Sequence, residues 1–247
     1  MALPGLYDMF QHWSEQTVWI YSDPHFSDAD LEHGIKNRPS DEDHIKSINS
    51  CAGKRDTLII LGDVGNIECV RSLRAGRKIL IMGNHDVGST KYKREIKTRI
   101  FDQDQYTREE VRDMMLAEYP GHGISIEESW EFHALFKRWV VKIDNKLFDE
   151  VYEGALMIGE KLILSHEPIP GITWAMNLHG HVHSKYAKTD KYHKNFCSDV
   201  IGYKPFHLTS WLQKCGPTAH INSIHRTTID EATERKKKRG GKINACK

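Results

Sequence analysis

Five groups of polar residues have the types and spacing to hold metal ions: Asp23-Pro24-His25, Asp63, Asn84-His85-Asp86, His166, and His181 with His183 in the run His179-Gly180-His181-Val182-His183. Carboxylate, amide oxygen and imidazole without thiolate suit divalent ions of hard to borderline character. Manganese comes first, with iron, zinc, nickel or cobalt as alternatives; a cysteine-based structural zinc does not fit. One aspartate can bridge two ions. Two ions about 3.5–4 Å apart clamp a phosphate, polarise it and acidify a water, so that a bridging hydroxide attacks phosphorus near neutral pH. That is the chemistry of phosphoester hydrolysis. His85 could give a proton to the leaving oxygen, with Asp86 orienting its ring. Arg38 could grip a phosphate bidentately, although Arg38-Pro39 ahead of Ser40 reads equally well as a loop-to-helix junction.

Such scattered groups act together only if the fold gathers them. Three runs rich in Ile, Val and Leu, residues 17–21, 57–61 and 78–82, read as buried strands, and each ends directly in one of the polar groups. Helix-compatible stretches separate them: residues 40–52, where Ser40 can cap and Asp43 sits three positions on, and residues 66–75. Strand, helix, strand, helix, strand is the pattern of a largely parallel α/β sheet, whose carboxyl edge is where ligands bind. Residues 89–152 read as an insertion, charged over 91–99, helical over 107–118, and aromatic-rich around Trp130, Phe132, Phe136 and Trp139. The spacing of those aromatics suggests a helix packed into a core in preference to a base-stacking surface. Strands return at 154–158 and 161–164, joined by a Gly159-Glu160 turn, and at 173–178.

Bulk properties narrow the class. With 247 residues, 39% of them hydrophobic, the chain can bury a sizeable core, read here as one domain over 1–233 and a basic, mobile tail over 234–247. A net charge of +1 gives no global pull toward nucleic acid or anionic membrane. The basic run at 234–242 could track a nucleic-acid backbone, but most such runs are only solvated. Five widely spaced cysteines without a Cys-x-x-Cys pair argue against a disulfide framework and for a reducing, cytoplasmic setting. No signal peptide or membrane span is expected. Fifteen histidines exceed what one site uses. His33, His44, His122, His133, His193 and His207 are read as surface or core residues, and His179 as structural or supporting ahead of ligating.

Each motif alone is weak: Gly-Asn-His-Asp is a common turn, and two histidines on a strand bind metal poorly. In order, however, Asp23-x-His25, Gly62-Asp63, Gly83-Asn84-His85-Asp86, His166 and Gly180-His181-x-His183 resemble the five motifs of the calcineurin-like metallophosphoesterases, over residues 17–212. Asn37-Arg38-Pro39, Ser165-His166-Glu167-Pro168 and the segment 195–208 with Tyr203-Lys204-Pro205 are similar to small bacterial and phage phosphoesterases. The resemblance implies a four-layer α/β/β/α sandwich of two mixed sheets flanked by helices. It implies one ion on Asp23, His25 and His183, a second on Asn84, His166 and His181, a bridging Asp63, and His85 as proton donor. Val64-Gly65-Asn66-Ile67-Glu68 departs from the acid and arginine that follow this motif in the Ser/Thr phosphatases, which argues against protein dephosphorylation. The expected activity is hydrolysis of a nucleotide or nucleic-acid phosphodiester. The alternatives are a phosphomonoesterase or pyrophosphatase on the same residues, and a non-catalytic metal-binding scaffold.

Overall fold

The computed structural model describes residues 17–35, 37–130, 137–158, 162–184 and 190–215. The three apolar runs become β1 (Val18–Tyr21), β2 (Thr57–Ile60) and β3 (Arg77–Ile81), paired in parallel. Parallel strands need crossovers, and these are helical. α1 (Ala29–Gly34) and α2 (Asp41–Cys51) lie between β1 and β2, and the Ser40 hydroxyl accepts the Asp43 amide at the start of α2. α3 (Ile67–Arg71) follows β2, with the Asn66 side chain accepting the Glu68 amide. α3 is shorter than the 66–75 stretch expected. The Asn49 side chain takes over the backbone groups that its early end frees, donating to the Ser72 carbonyl at 2.9 Å and accepting the Arg74 amide at 2.7 Å.

β7 (Glu150–Tyr152) extends the sheet in parallel beyond β3, and β12 (Phe206–His207) closes the other side antiparallel to β1. A second mixed sheet has the order β11 (His193–Asn195), β10 (Met176–His179), β9 (Leu162–Leu164), β8 (Leu156–Ile158). β8 and β9 pair antiparallel, as a hairpin requires; the expected Gly159-Glu160 turn lies outside the described residues. Alternation along the strands divides the core. Val18, Ile20, Ile59, Leu61, Ile79 and Ile81 face Leu156, Ile158, Leu162, Leu164, Leu178 and Phe196 between the two sheets. Tyr21, Leu58, Ile60 and Leu80 face Ile48, Ala52 and Val70 of the helices. Each fully buried aliphatic chain contributes roughly 1.5–3 kcal/mol. The outer face of the second sheet packs Ile163 under the loop residues Ile169, Ile172 and Ala175. α5 (Ser198–Ile201) and α6 (Leu208–Cys215) complete the described fold.

Between β3 and β7 the chain builds a separate antiparallel sheet, β4 (Ile96–Asp102), β6 (Lys137–Asp144), β5 (Gly123–Trp130), crossed by α4 (Arg108–Glu118). α4 starts in a capping box between Thr107 and Glu110. The charged stretch 91–99 runs into β4, with Lys97 and Arg99 exposed on it. One sequence expectation is corrected here. Trp139 lies on β6, not on a helix, because Trp139, Val141 and Ile143 alternate onto one face against Val111 and Met115 of α4. Its packing role holds, with the indole donating to the Tyr106 carbonyl at 2.9 Å. Phe132, Phe136 and the basic run 234–242 lie outside the described residues. Among the described residues no helix is long and apolar enough to cross a membrane.

Candidate metal centre

The polar groups converge where the strands of both sheets end. β1, β2 and β3 deliver Asp23 and His25, Asp63, and Asn84; β9 and β10 deliver His166, and His181 and His183. Backbone bonds stitch these loops together: the Asp23 amide to the Gly62 carbonyl at 3.1 Å, His25 to Asp63 at 2.9 Å, and Gly180 to His166 at 2.8 Å. Four of the gathered residues have left-handed backbone, Asp23 (φ 55°), His25 (φ 42°), Asp63 (φ 52°) and His181 (φ 65°). Each such residue costs on the order of 1 kcal/mol or more, and strain of this kind collects where side chains must be aimed. Two glycines allow the loops to close. A Cβ on Gly83 would lie 2.1 Å from Asp63 Oδ1, and one on Gly180 1.8 Å from Ser22 Oγ and 2.2 Å from Asp23 Oδ2.

Three groups of donor atoms result among the described residues; two include Asp63, one with Asp23 and His25 and the other with His166 and His181, and the third joins Asp23, His183 and Cys197. His183 Nε2 stands 3.6 Å from Asp23 Oδ1, which brings it to the first. Asn84 Oδ1 lies 2.9 Å from His166 Nε2 and 3.1 Å from His181 Nδ1, within the second. Asp63 Oδ2 is 3.5 Å from His25 Nε2 and 3.3 Å from His166 Nε2. The imidazoles are oriented from behind: His25 Nδ1 faces Asp28 at 3.3 Å, His166 Nδ1 donates to the Leu61 carbonyl at 2.8 Å, and His183 Nδ1 donates to Asp199 at 2.5 Å. In each case Nε2 is left facing the centre.

Divalent ions fit this donor set. Asp23 Oδ1 and His25 Nε2 are buried without a hydrogen-bond partner, an arrangement that a cation satisfies. The surrounding charge agrees, and an ion bound there would displace the proton that His166 otherwise holds. Burial works to lower the His166 pKa, but its hydrogen bond to Asp63 and the charges of Asp23 and Asp63 overcome that and raise it to about 9. Burial opposes ionisation of Asp63, yet His166, the His85 amide and His25 hold its carboxyl below the usual range. Burial lowers the pKa of His25. The centre is thus a pocket of negative charge that attracts a positive ion.

The other sequence candidates fall in different places. His85 is at the rim, its side chain 68% exposed and its Nε2 3.9 Å from Asp63 Oδ2, while its amide donates to Asp63 Oδ1 at 3.0 Å. Asp86, expected to orient that ring, turns away from it. Its buried carboxylate accepts the amides of Asp63 at 2.7 Å, Gly83 at 3.0 Å and Val64 at 3.3 Å, and the Tyr92 hydroxyl. It clamps the loops that follow β2 and β3. Arg38, considered as a phosphate contact, is only 3% exposed in its side chain and grips Asp199 with both oxygens in reach, at 2.7 and 2.9 Å. Its Nη2 donates to the Asp23 and Pro24 carbonyls. His179 is buried outside both clusters, Nδ1 against the Gly180 carbonyl, in keeping with a structural reading. His44 is likewise a core residue.

Sequence reasoning missed Asp199 and Cys197. Cys197 groups with Asp23 and His183, its sulfur 3.5 Å from His183 Nδ1, but burial pushes its thiol pKa far up, so it stays protonated. Neither residue sits at the end of a long apolar run; the 195–208 segment offered only its likeness to related chains as a signal.

Residues 16–199 match the family model for calcineurin-like phosphoesterases. The chain belongs to that family and is a metal-dependent phosphoesterase. No curated protein matches it. A solved structure of a protein of unknown function from Aquifex aeolicus is similar over 81% of this chain and 99% of its own, at 18% identity and a TM-score of 0.49.

Proposed function

We propose that this protein hydrolyses phosphodiesters of the nucleotide or nucleic-acid type at a two-ion centre, with manganese as the first choice of metal. Asp23, His25 and His183 would hold one ion, Asn84, His166 and His181 the other, and Asp63 both. The observation that carries this is the pair of donor clusters sharing Asp63. Ions held there supply polarisation of the phosphoryl group and activation of the attacking water.

The chain's own residues do the rest. The Asp63 carboxylate is fixed from behind by the His85 amide, and its loop by Asp86. His85, the exposed imidazole at the rim, would protonate the departing ester oxygen; its Nε2 lies 3.9 Å from Asp63 Oδ2, which supports this role. A cleft of about 510 Å³ opens beside it, lined by His25, Asp28, Asn66, His85 and Lys91 among others. That space has room for the second ester substituent that a diester carries and a monoester lacks, which supports the diester reading. Lys91 Nζ, 3.2 Å from the Gly65 carbonyl, puts a positive charge on this wall.

Turnover of bis-nitrophenyl phosphate against the mono-ester, in manganese, decides the reading. Faster cleavage of the diester supports it. Preference for the monoester would move the assignment to phosphomonoesterase, and no turnover of either with manganese, nickel, cobalt, iron or zinc would leave a binding module.

A further inference from the structure

Behind the Asp23/His183 side of the centre lies a buried polar cluster that the metal motifs do not include. Asp199 Oδ2 accepts from His183 Nδ1 at 2.5 Å and from Arg38 Nη1 at 2.7 Å, while Oδ1 accepts from Arg38 at 2.9 Å and from the Tyr203 hydroxyl at 2.6 Å. Its side chain is 4% exposed. Arg38 continues to the Asp23 carbonyl at 3.2 Å and the Pro24 carbonyl at 2.7 Å. Ser198, beside Asp199, donates its hydroxyl to the same Asp23 carbonyl at 2.8 Å and its amide to the Ser22 carbonyl at 2.9 Å. The Ser47 hydroxyl of α2 holds the Tyr203 carbonyl at 2.6 Å. No comparable cluster backs the other side among the described residues, where His166 leans on the Leu61 carbonyl and the His181 imidazole faces His166 and Asn84, its amide alone donating to the Asp23 carboxylate at 2.9 Å.

We infer that Asp199, locked by Arg38 and Tyr203, is a positioning residue for one ion only: it fixes His183 with Nε2 toward Asp23 and ties that imidazole to the Asp23 loop. The inference rests on the two-ion reading above. A carboxylate behind a ligating imidazole sets its tautomer and ring angle and raises its basicity, and its loss weakens metal binding by about 10–100-fold. Arg38 adds rigidity. Its planar fork reaches the carboxylate and two carbonyls together, which an ammonium could not do. Because the cluster touches Asp23 and His183 but none of Asn84, His166 or His181, its effect is confined to one of the two binding steps.

The test is a manganese titration of metal-free full-length protein by calorimetry, with electron paramagnetic resonance separating one-ion from coupled two-ion species. Wild type is expected to take two ions. D199N should weaken one step about 10–100-fold and leave the other within about threefold, so that the coupled signal appears only at much higher manganese. N84A should weaken the opposite step, and D199N/N84A both. Y203F, which removes a single hydroxyl contact to Asp199, should shift the same step as D199N by a smaller factor, and it decides the matter if D199N does not fold. Wild-type binding in folded D199N, equal weakening of both steps, or no shift in Y203F would overturn the inference. Failure of the wild type itself to bind two ions would instead remove the two-ion reading beneath it, and that result is read without any variant.

Discussion

At the scale of single residues, Asp63 and His85 touch yet have separable duties. Asp63→Asn is expected to abolish binding of both ions and all turnover, because the shared carboxylate is the atom set common to both clusters. His85→Asn should bind metal as wild type does while turnover falls about 10²–10⁴-fold. Metal analysis beside the diester assay checks both, and equal metal loss in the two variants would refute the division. Most of the candidate centre was legible in the sequence because each candidate ligand follows the end of an apolar run, so its place on the sheet edge follows from strand order. Asp86 and Arg38 were not: what distinguishes a catalytic acid or a phosphate grip from a buried clamp is the direction of a side chain, and neighbours far along the chain set that direction. Asp86 turned to three backbone amides and Arg38 to Asp199, partners that lie 22 or more positions away except for Gly83.

At the scale of elements, the approach of loops leaves little room. Gly180→Ala would put a methyl group against Ser22 Oγ and Asp23 Oδ2, so the β10 end and the β1 loop must separate. Weakened metal binding is expected, with a lowered unfolding midpoint, by about 1–3 kcal/mol as for other overpacked sites; calorimetric titration and urea unfolding measure the two effects. α2 carries a second testable group. His44, 1% exposed, packs edge-on to Phe26 and Tyr21 and beside the Tyr203 ring. Burial, helped by the Arg38 charge and opposed by Asp199 and Asp41, lowers its pKa from 6.5 to about 4. Above pH 6.5 it is neutral folded or unfolded. As pH falls from there toward 4, only the unfolded chain takes up the proton, and roughly 3 kcal/mol of stability is lost. Urea unfolding between pH 7 and 4 should therefore be flatter for His44→Phe than for wild type. The sequence revealed β1 to β3, the cap of α2 and the extent of α4, where pattern and local chemistry agree. It hid β4 and β6: β4 sets Lys97 and Arg99 on the same face as the core-packed Phe101, with Arg99 paired to Glu118 of α4, and leaves Ile96 and Ile100 exposed, so the apolar residues do not mark the covered face.

At the scale of the whole molecule, the candidate ligands come from two sheets that meet through their apolar faces and, at the site end, through hydrogen bonds such as that of His166 Nδ1 to the Leu61 carbonyl. Ions would therefore fasten the sheets together at one end, and metal-free protein should melt lower. With each site filled at about 100 times its dissociation constant, linkage gives roughly 2.7 kcal/mol per ion, or about 5–10 °C for a domain of this size. Differential scanning calorimetry with and without chelator checks it, and restoration by manganese distinguishes metal loss from damage. A different consequence follows from where the chain leaves β3 and returns to β7. The two arms of the inserted sheet meet at a neck: Asn145 N donates to the Glu95 carbonyl at 3.2 Å, the Asn145 side chain receives the Glu95 amide at 2.6 Å, and Arg94 grips Asp144. To the rest of the protein, some fifty residues thus behave as a tight turn, with hardly any loop-closure entropy to overcome. The neck is a natural port. Residues 96–143 should be exchangeable for a Gly-Asn pair or a foreign module, and a shortened chain that still binds two manganese ions would show that the port is independent of the chemistry it sits beside.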